Sequence, residues 1–196
     1  MSEGPQRPQP NLPTSAMLGV QFGIVVLAVV LAFIFRIDLL GAMDFSVEAV
    51  NGGVIGTIPM LLLGWWLFRS NWAWVLELRQ LMESALIPLF RNAPAGTVFL
   101  VSLLAGVGEE LLFRGVIQGG LEGLIGAWPA LILASVIFGA LHALTRAYFI
   151  IATLMGLYLG WIYMETGNLL IPILIHFLYD WIVLRFYLSR NRKPTR

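Results

Sequence analysis

The chain has 196 residues, of which 59% are hydrophobic and only 12% are charged, and its mean hydropathy is +0.84. These values lie far from those of an average soluble domain and indicate an integral membrane protein. The net charge of +1 gives no reason to expect a nucleic-acid partner. Because the sequence has no cysteine, disulfides and thiolate chemistry are excluded.

The N-terminal region predicts a tail followed by membrane helices. Residues 1–16 contain four prolines and predict a short disordered tail. The apolar run Met17–Phe35 is interpreted as a retained helix rather than a cleaved signal peptide, since only Arg7 precedes it as a positive charge. It opens an N-terminal unit, residues 17–94, that also contains the apolar run Gly53–Phe68.

Between the second and third apolar runs lies a segment with a different pattern. Trp72–Phe90 places its apolar residues on one helical face and its charged residues elsewhere, which predicts an amphipathic helix lying along the cytoplasmic membrane surface. Four further apolar runs follow in the C-terminal part of the chain: Gly96–Leu112, Pro129–Leu144, Phe149–Tyr163 and Leu169–Leu188.

The six runs together predict an all-α, polytopic membrane bundle of about six transmembrane helices plus the interfacial helix, since a span needs about 20 apolar residues. Residues 95–188 form its intramembrane core, and residues 189–196 form a basic tail. The positive-inside rule places this tail, and with six spans also the N-terminus, in the cytoplasm. The expected location is a bacterial cytoplasmic (inner) membrane.

Charged side chains interrupt the third apolar run. Val98–Ile125 predicts one membrane-embedded helix that carries Glu109, Glu110 and Arg114, although a charge near the bilayer centre costs about 2.5–3.5 kcal/mol. Glu110 and Arg114 are one helical turn apart and should pair. Glu109 points about 100° away and is free to accept a proton, as a general base does. The alternative is a buried ion pair that only fixes helix register.

Both histidines of the chain lie in apolar helices. His142 follows Phe138 by one turn, and His176 precedes Asp180 by one turn. The second spacing predicts that the Asp180 carboxylate accepts the imidazole N–H of His176 and fixes its tautomer. For each histidine, a purely structural hydrogen bond is the alternative interpretation.

Helix depth indicates whether these groups can meet. A turn near Gly126–Trp128 would place Glu109 and His142 roughly 22–26 Å from it, at one level on antiparallel helices. His176, counted from Asn168, would lie only about 12 Å deep, so tilt or a longer loop must close the gap.

Taken in order, the three polar motifs resemble those of the CAAX-protease and bacteriocin-processing family of intramembrane proteases, which includes the type II CAAX prenyl endopeptidases. The family pattern is Glu-Glu-x-x-x-Arg, Phe-x-x-x-His and His-x-x-x-Asn/Asp. Its counterparts here, within Gly96–Leu188, are Glu109-Glu110-x-x-x-Arg114, Phe138-x-x-x-His142 and His176-x-x-x-Asp180.

The resemblance implies peptide-bond hydrolysis inside a helical bundle. It implies that Glu109, with His142, polarises the attacking water, and that His176 and Asp180 stabilise the oxyanion or bind metal. It further implies that the Glu110–Arg114 pair holds the geometry of the site.

A catalytic metal stays open at this point. His142, His176 and Glu109 could bind zinc, yet the sequence has no His-Glu-x-x-His motif, and a metal-free glutamate mechanism fits the same residues. No organic cofactor is expected.

The expected partners are the lipid bilayer and a membrane-associated protein or peptide substrate, such as a bacteriocin or a sorting signal. Two other functions remain open: a proton-coupled transporter, and a non-catalytic scaffold or immunity protein that retains the protease fold. Against the transporter, the polar residues concentrate in the C-terminal helices and show no repeat symmetry.

Overall fold

The structure is a computed structural model that describes residues 14–90 and 93–190, and within these ranges the regular structure is entirely helical. The predicted all-α bundle is therefore confirmed. Two π-helical segments, Met82–Leu86 and Leu111–Gly119, connect consecutive α-helices. The α-helices are α1 (Thr14–Phe35), α2 (Val47–Arg69), α3 (Ala73–Leu81), α4 (Ile87–Phe90), α5 (Thr97–Glu110), α6 (Gly120–Ile125), α7 (Ala127–Leu141), α8 (Arg146–Thr166) and α9 (Leu170–Arg190).

Within the described residues, four helices are long and apolar enough to cross a membrane: α1, α2, α8 and α9. α7 is also apolar but has only 15 residues. α5, the second π-helical segment and α6 form a continuous helix over residues 97–125, called here the composite helix. These six helices correspond to the six predicted spans, and the chain is an integral membrane protein.

Only part of each predicted tail lies within the described residues. Most of the predicted N-terminal tail, residues 1–13, lies outside the described residues, but its last three residues already belong to α1. Residues 191–196 of the predicted basic tail also lie outside the described residues, whereas residues 189 and 190 complete α9.

Local signals in the sequence fix several helix boundaries. The Ser46 hydroxyl caps α2 by accepting a hydrogen bond from Ala49 N at 3.2 Å. The Thr145 hydroxyl caps α8 in the same way by accepting from Tyr148 N at 3.1 Å. Gly126, with φ of 86°, makes the predicted turn between α6 and α7, since a positive φ is inexpensive only for glycine.

The bundle places the composite helix at its centre. α5 packs against α1 and α9, and its π-helical continuation packs against α1 and α7. Further out, α2 packs on α9 and α8 packs on α7. Helix backbones approach closely at Gly106, where a Cβ atom would lie 2.9 Å from Phe177 N, so α5 and α9 need a glycine at their contact.

A helix is present where the interfacial helix was predicted, although it is not one uniform α-helix, and its placement along the membrane surface stays a prediction. α3, the π-helical segment Met82–Leu86 and α4 run continuously from residue 73 to residue 90. Arg79 anchors it to the end of α2 by donating a hydrogen bond to the Phe68 carbonyl. Arg79 and Arg190 also both lie over the Phe68 ring, 4.9 and 5.0 Å from its centroid, so that this corner joins α2, α3 and α9.

Candidate functional site

The two adjacent glutamates lie at a change of helix type. Glu109 and Glu110 end α5, and the π-helical segment Leu111–Gly119 begins at the next residue. The single helix predicted over Val98–Ile125 is present, but it changes from α-helical to π-helical geometry at Leu111. Apolar periodicity gives no signal for this change, whose i→i+5 hydrogen bonds locally widen the helix. Short π-helical segments within α-helices occur frequently at functional sites.

Glu110 and Arg114 form the predicted ion pair. Arg114 Nη1 lies 2.9 Å from Glu110 Oε1, and both side chains are almost completely buried. Arg114 Nη2 donates a second hydrogen bond, of 2.9 Å, to the Gly156 carbonyl on α8. The guanidinium also lies 5.0 Å from the centroid of the Phe138 ring on α7. One side chain thus connects the composite helix to α7 and α8.

Glu110 also fixes the orientation of His176. The Nδ1–H of His176 donates to Glu110 Oε1 at 2.7 Å, because an ionised carboxylate can only accept. Asp180 Oδ2 lies 3.5 Å from the other ring nitrogen, Nε2. Asp180 lies beside His176 as the spacing predicted, and Glu110 is a second, closer partner on the other ring nitrogen. The sequence could not indicate this partner, which lies 66 residues away on a helix packed against α9.

Both histidines turn Nε2 toward Glu109. Glu109 Oε2 lies 3.7 Å from His142 Nε2 and 4.0 Å from His176 Nε2. It is buried and accepts no hydrogen bond from any of the described residues. His142 Nδ1–H donates to the Phe138 carbonyl at 2.8 Å, which leaves Nε2 facing Glu109. Three polar atoms thus surround one small space.

The depth estimate was right for His142 and wrong for His176. Glu109 and His142 meet at one level, as the turn at Gly126 predicts. His176 reaches the same level because α9 begins far inside the bundle, with Leu169 packed beside Gly115 rather than beside the end of α6. The estimate assumed that the turn at Gly126 and the loop at Asn168 lie at the same depth.

The site is closed on one side and open on the other. The side chains of Glu110, Arg114 and His176 are at most 4% exposed. By contrast, the side chain of His142 is 27% exposed and that of Asp180 is 31% exposed. A substrate would therefore reach Glu109 past His142 and Asp180.

Two further side chains lie near the site, and the sequence analysis assigned them no role. Gln118 is buried and donates from Nε2 to the Gly160 carbonyl at 2.9 Å, one turn beyond the bond between Arg114 and Gly156. The sequence did indicate Gln118, because it is a polar residue one turn after Arg114 in an apolar helix. The Tyr148 ring meets the His142 ring edge to face, with centroids 6.0 Å apart, and its sequence context gives no comparable signal.

The predicted zinc ligands have suitable chemistry but not a suitable arrangement. Two imidazoles and a carboxylate are typical zinc ligands, and tetrahedral bonds of 2.0–2.1 Å would separate their donor atoms by roughly 3.4 Å. The separations from Glu109 Oε2 are wider, 3.7 and 4.0 Å. Throughout residues 14–90 and 93–190, no group of three or more His, Cys, Asp or Glu side chains could hold a metal ion. A zinc requirement therefore stays a prediction.

One family profile matches the part of the chain that forms this site. Residues 91–182 match the profile of the family described as type II CAAX prenyl endopeptidase Rce1-like. The predicted resemblance is confirmed. The matched residues include all three motifs.

Two curated proteins of Bacillus subtilis (strain 168) are also similar. "Uncharacterized protein YpbD" is 40% identical over 95 residues, which are 47% of this chain and 46% of that protein. "Putative membrane peptidase YdiL" is 25% identical over 148 residues, 76% of this chain and 55% of that protein. The chain thus spans about half the length of these relatives. No solved structure gives a significant match.

Proposed function

We propose that the protein is an intramembrane endopeptidase that hydrolyses a peptide bond near the terminus of a membrane-associated protein or peptide. One observation carries the proposal. A buried carboxylate oxygen of Glu109 has no hydrogen-bond partner among the described residues and lies within 4.0 Å of Nε2 of both histidines. A base with positioned imidazoles, in a place shielded from bulk water, is suited to hydrolysis.

In this proposal, Glu109 and His142 position the nucleophilic water. Their separation of 3.7 Å is too long for a direct hydrogen bond and short enough for one water to donate to both, at about 2.8 Å each. Glu109 takes a proton from this water as the oxygen attacks the scissile carbonyl, and then delivers the proton to the leaving amine. His142 keeps the water aligned through the lone pair of Nε2.

His176 serves the opposite side of the reacting carbonyl. It acts as an imidazolium in this proposal, because acceptor oxygens of Glu110 and Asp180 stand at its two ring nitrogens. Nδ1–H stays bound to Glu110, and Nε2–H turns from Asp180 to the developing oxyanion. Donors held in place before the reaction stabilise such a charge without reorganisation.

The Glu110–Arg114 pair positions these groups without touching the substrate. Glu110 holds the His176 ring, and Arg114 holds Glu110 while it binds α8 and contacts Phe138. The family match over residues 91–182 and the name of the relative YdiL support a peptidase.

The substrate is expected to be membrane-associated because the open side of the site lies among apolar helices. A small secreted peptide, such as a bacteriocin, or a sorting signal at a protein terminus fits this access. Both relatives are bacterial, which supports a location in the bacterial inner membrane.

The orientation of the chain is tested with a membrane-impermeant thiol reagent. Because the chain has no cysteine, Lys193→Cys introduces a single thiol for the reagent to label. The cytoplasmic C-terminus predicted from charge should be labelled only after the cells are broken.

The decisive experiment compares protein termini in cells. Membrane proteins from cells lacking the gene, and from cells complemented with wild type or variants, are compared by mass spectrometry of their termini. Termini that depend on the gene should disappear with Glu109→Gln, His142→Ala or His176→Ala, each accumulating in the membrane. Glu122→Gln, which alters an exposed acid on the same composite helix, serves as the matched control and should keep them. Wild-type termini in cells with accumulated Glu109→Gln protein would refute the proposal, as expected of a scaffold.

A further inference from the structure

The proposed site is short of hydrogen-bond donors for an oxyanion. The Nδ1–H groups of His142 and His176 already donate to Phe138 and Glu110. Asp180 carries a carboxylate at a position where the motif also accepts asparagine, and an ionised carboxylate has no hydrogen to donate. Among the described residues, the proposal assigns one donor to the oxyanion, Nε2–H of an imidazolium at His176, whereas oxyanion holes commonly combine several donors.

Tyr148 carries a phenol donor on a ring that contacts His142. It is in the first turn of α8, six residues after His142, and the Thr145 cap fixes its backbone. Its ring packs edge to face on His142, with an interplanar angle of 87°. The short α7–α8 connection thus places a phenol beside the imidazole at the open side of the site.

The hydroxyl of Tyr148 is free to act there. It makes no hydrogen bond to any residue in the described part of the chain, although the side chain is partly buried. The side chain lies close enough to the carboxylates of Asp180 and Glu109 to interact with them electrostatically. A phenol can donate a hydrogen bond while it stays protonated.

We propose that Tyr148 is a further catalytic residue, whose hydroxyl donates a hydrogen bond to the oxyanion and supplies the donor that aspartate at position 180 cannot. This inference rests on the proposed protease function. In the step, water forms the new C–O bond, Glu109 receives its proton, and the carbonyl π electrons move to oxygen. Tyr148 and His176 hydrogen-bond to that oxygen, and the C–N bond breaks when the intermediate collapses and Glu109 protonates the amine.

The test uses the full chain expressed in cells that lack the gene. Cells are pulse-labelled, and the rate at which gene-dependent termini of membrane proteins appear is divided by the amount of inserted enzyme. Tyr148→Phe should lower this rate about 10²-fold, as loss of one oxyanion donor does. Tyr163→Phe makes the same change on the same helix, where the hydroxyl lies beside Gly119, and should leave the rate unchanged.

A second background separates catalysis from packing. Asp180→Asn restores an amide donor at position 180, so Tyr148→Phe should cost less than about 10-fold in that background. Equal losses in both backgrounds would overturn the inference, since a packing role is indifferent to the donor at position 180. A wild-type rate for Tyr148→Phe would also overturn it.

Further substitutions keep the inference testable if Tyr148→Phe fails to accumulate. Tyr148→Gln retains a donor and should be faster than Tyr148→Leu; equal rates would refute the role of Tyr148. The proposed protease function is refuted by a different result, namely cleavage that is retained by the Glu109→Gln protein. Cleavage that requires Glu109 but is indifferent to Tyr148 would reject only the present inference.

Discussion

Replacement of Arg114 by methionine tests the physical core of the site. Arg114→Met removes the partner of Glu110 while both positions stay inaccessible to water. Breaking a buried ion pair from one side costs about 3–5 kcal/mol, because the remaining carboxylate loses its arginine and keeps only the hydrogen bond from His176. The Gly156 carbonyl also loses its donor, and an unsatisfied buried acceptor accounts for about 1–3 kcal/mol of such a cost. We therefore expect the free energy of unfolding to fall by about 4 kcal/mol.

The assay is reversible unfolding in mixed micelles, with a denaturing detergent as titrant and tryptophan fluorescence as signal. Arg146→Met, at an exposed position on α8, is the matched control and should change stability by less than about 0.5 kcal/mol. The double variant Glu110→Gln with Arg114→Met also removes the charge of the buried carboxylate. It should regain about half of the free energy of unfolding that Arg114→Met loses. Equal stability of the wild type and Arg114→Met would refute the account of a buried, interdependent pair.

Three further outcomes are expected. Gly106→Ala should lower the free energy of unfolding by about 1–3 kcal/mol in the micelle titration, because its Cβ meets the backbone of Phe177, whereas Gly123→Ala, with open space around it, should not. Ser46→Ala should cost about 1 kcal/mol in the same titration through loss of the cap to Ala49 N, and an unchanged value would contradict the assigned boundary of α2. Treatment of the purified protein with a strong chelator should leave the cleavage rate unchanged if the glutamate mechanism holds; loss of activity that zinc restores would instead identify a metalloprotease.

The sequence determined the membrane helices and the local contacts between neighbours on one helix. Apolar runs become helices because a bilayer offers the backbone no hydrogen-bond partners, so each segment must satisfy its own. The Glu110–Arg114 pair was predictable for the same local reason, since side chains four residues apart lie on one helical face. The turn at Gly126 was likewise predictable, because glycine readily adopts a positive φ.

Tertiary structure decided how the separate motifs combine. The bond from His176 to Glu110 joins residues 66 positions apart, and it exists because α9 packs against α5 and begins beside Gly115, a depth that loop positions alone cannot give. The π-helical segment after Glu110 and the contact of Tyr148 with His142 also depend on the packed bundle. Residue spacing specifies which face of a helix carries a side chain, whereas the offset between helices follows from how their surfaces fit together.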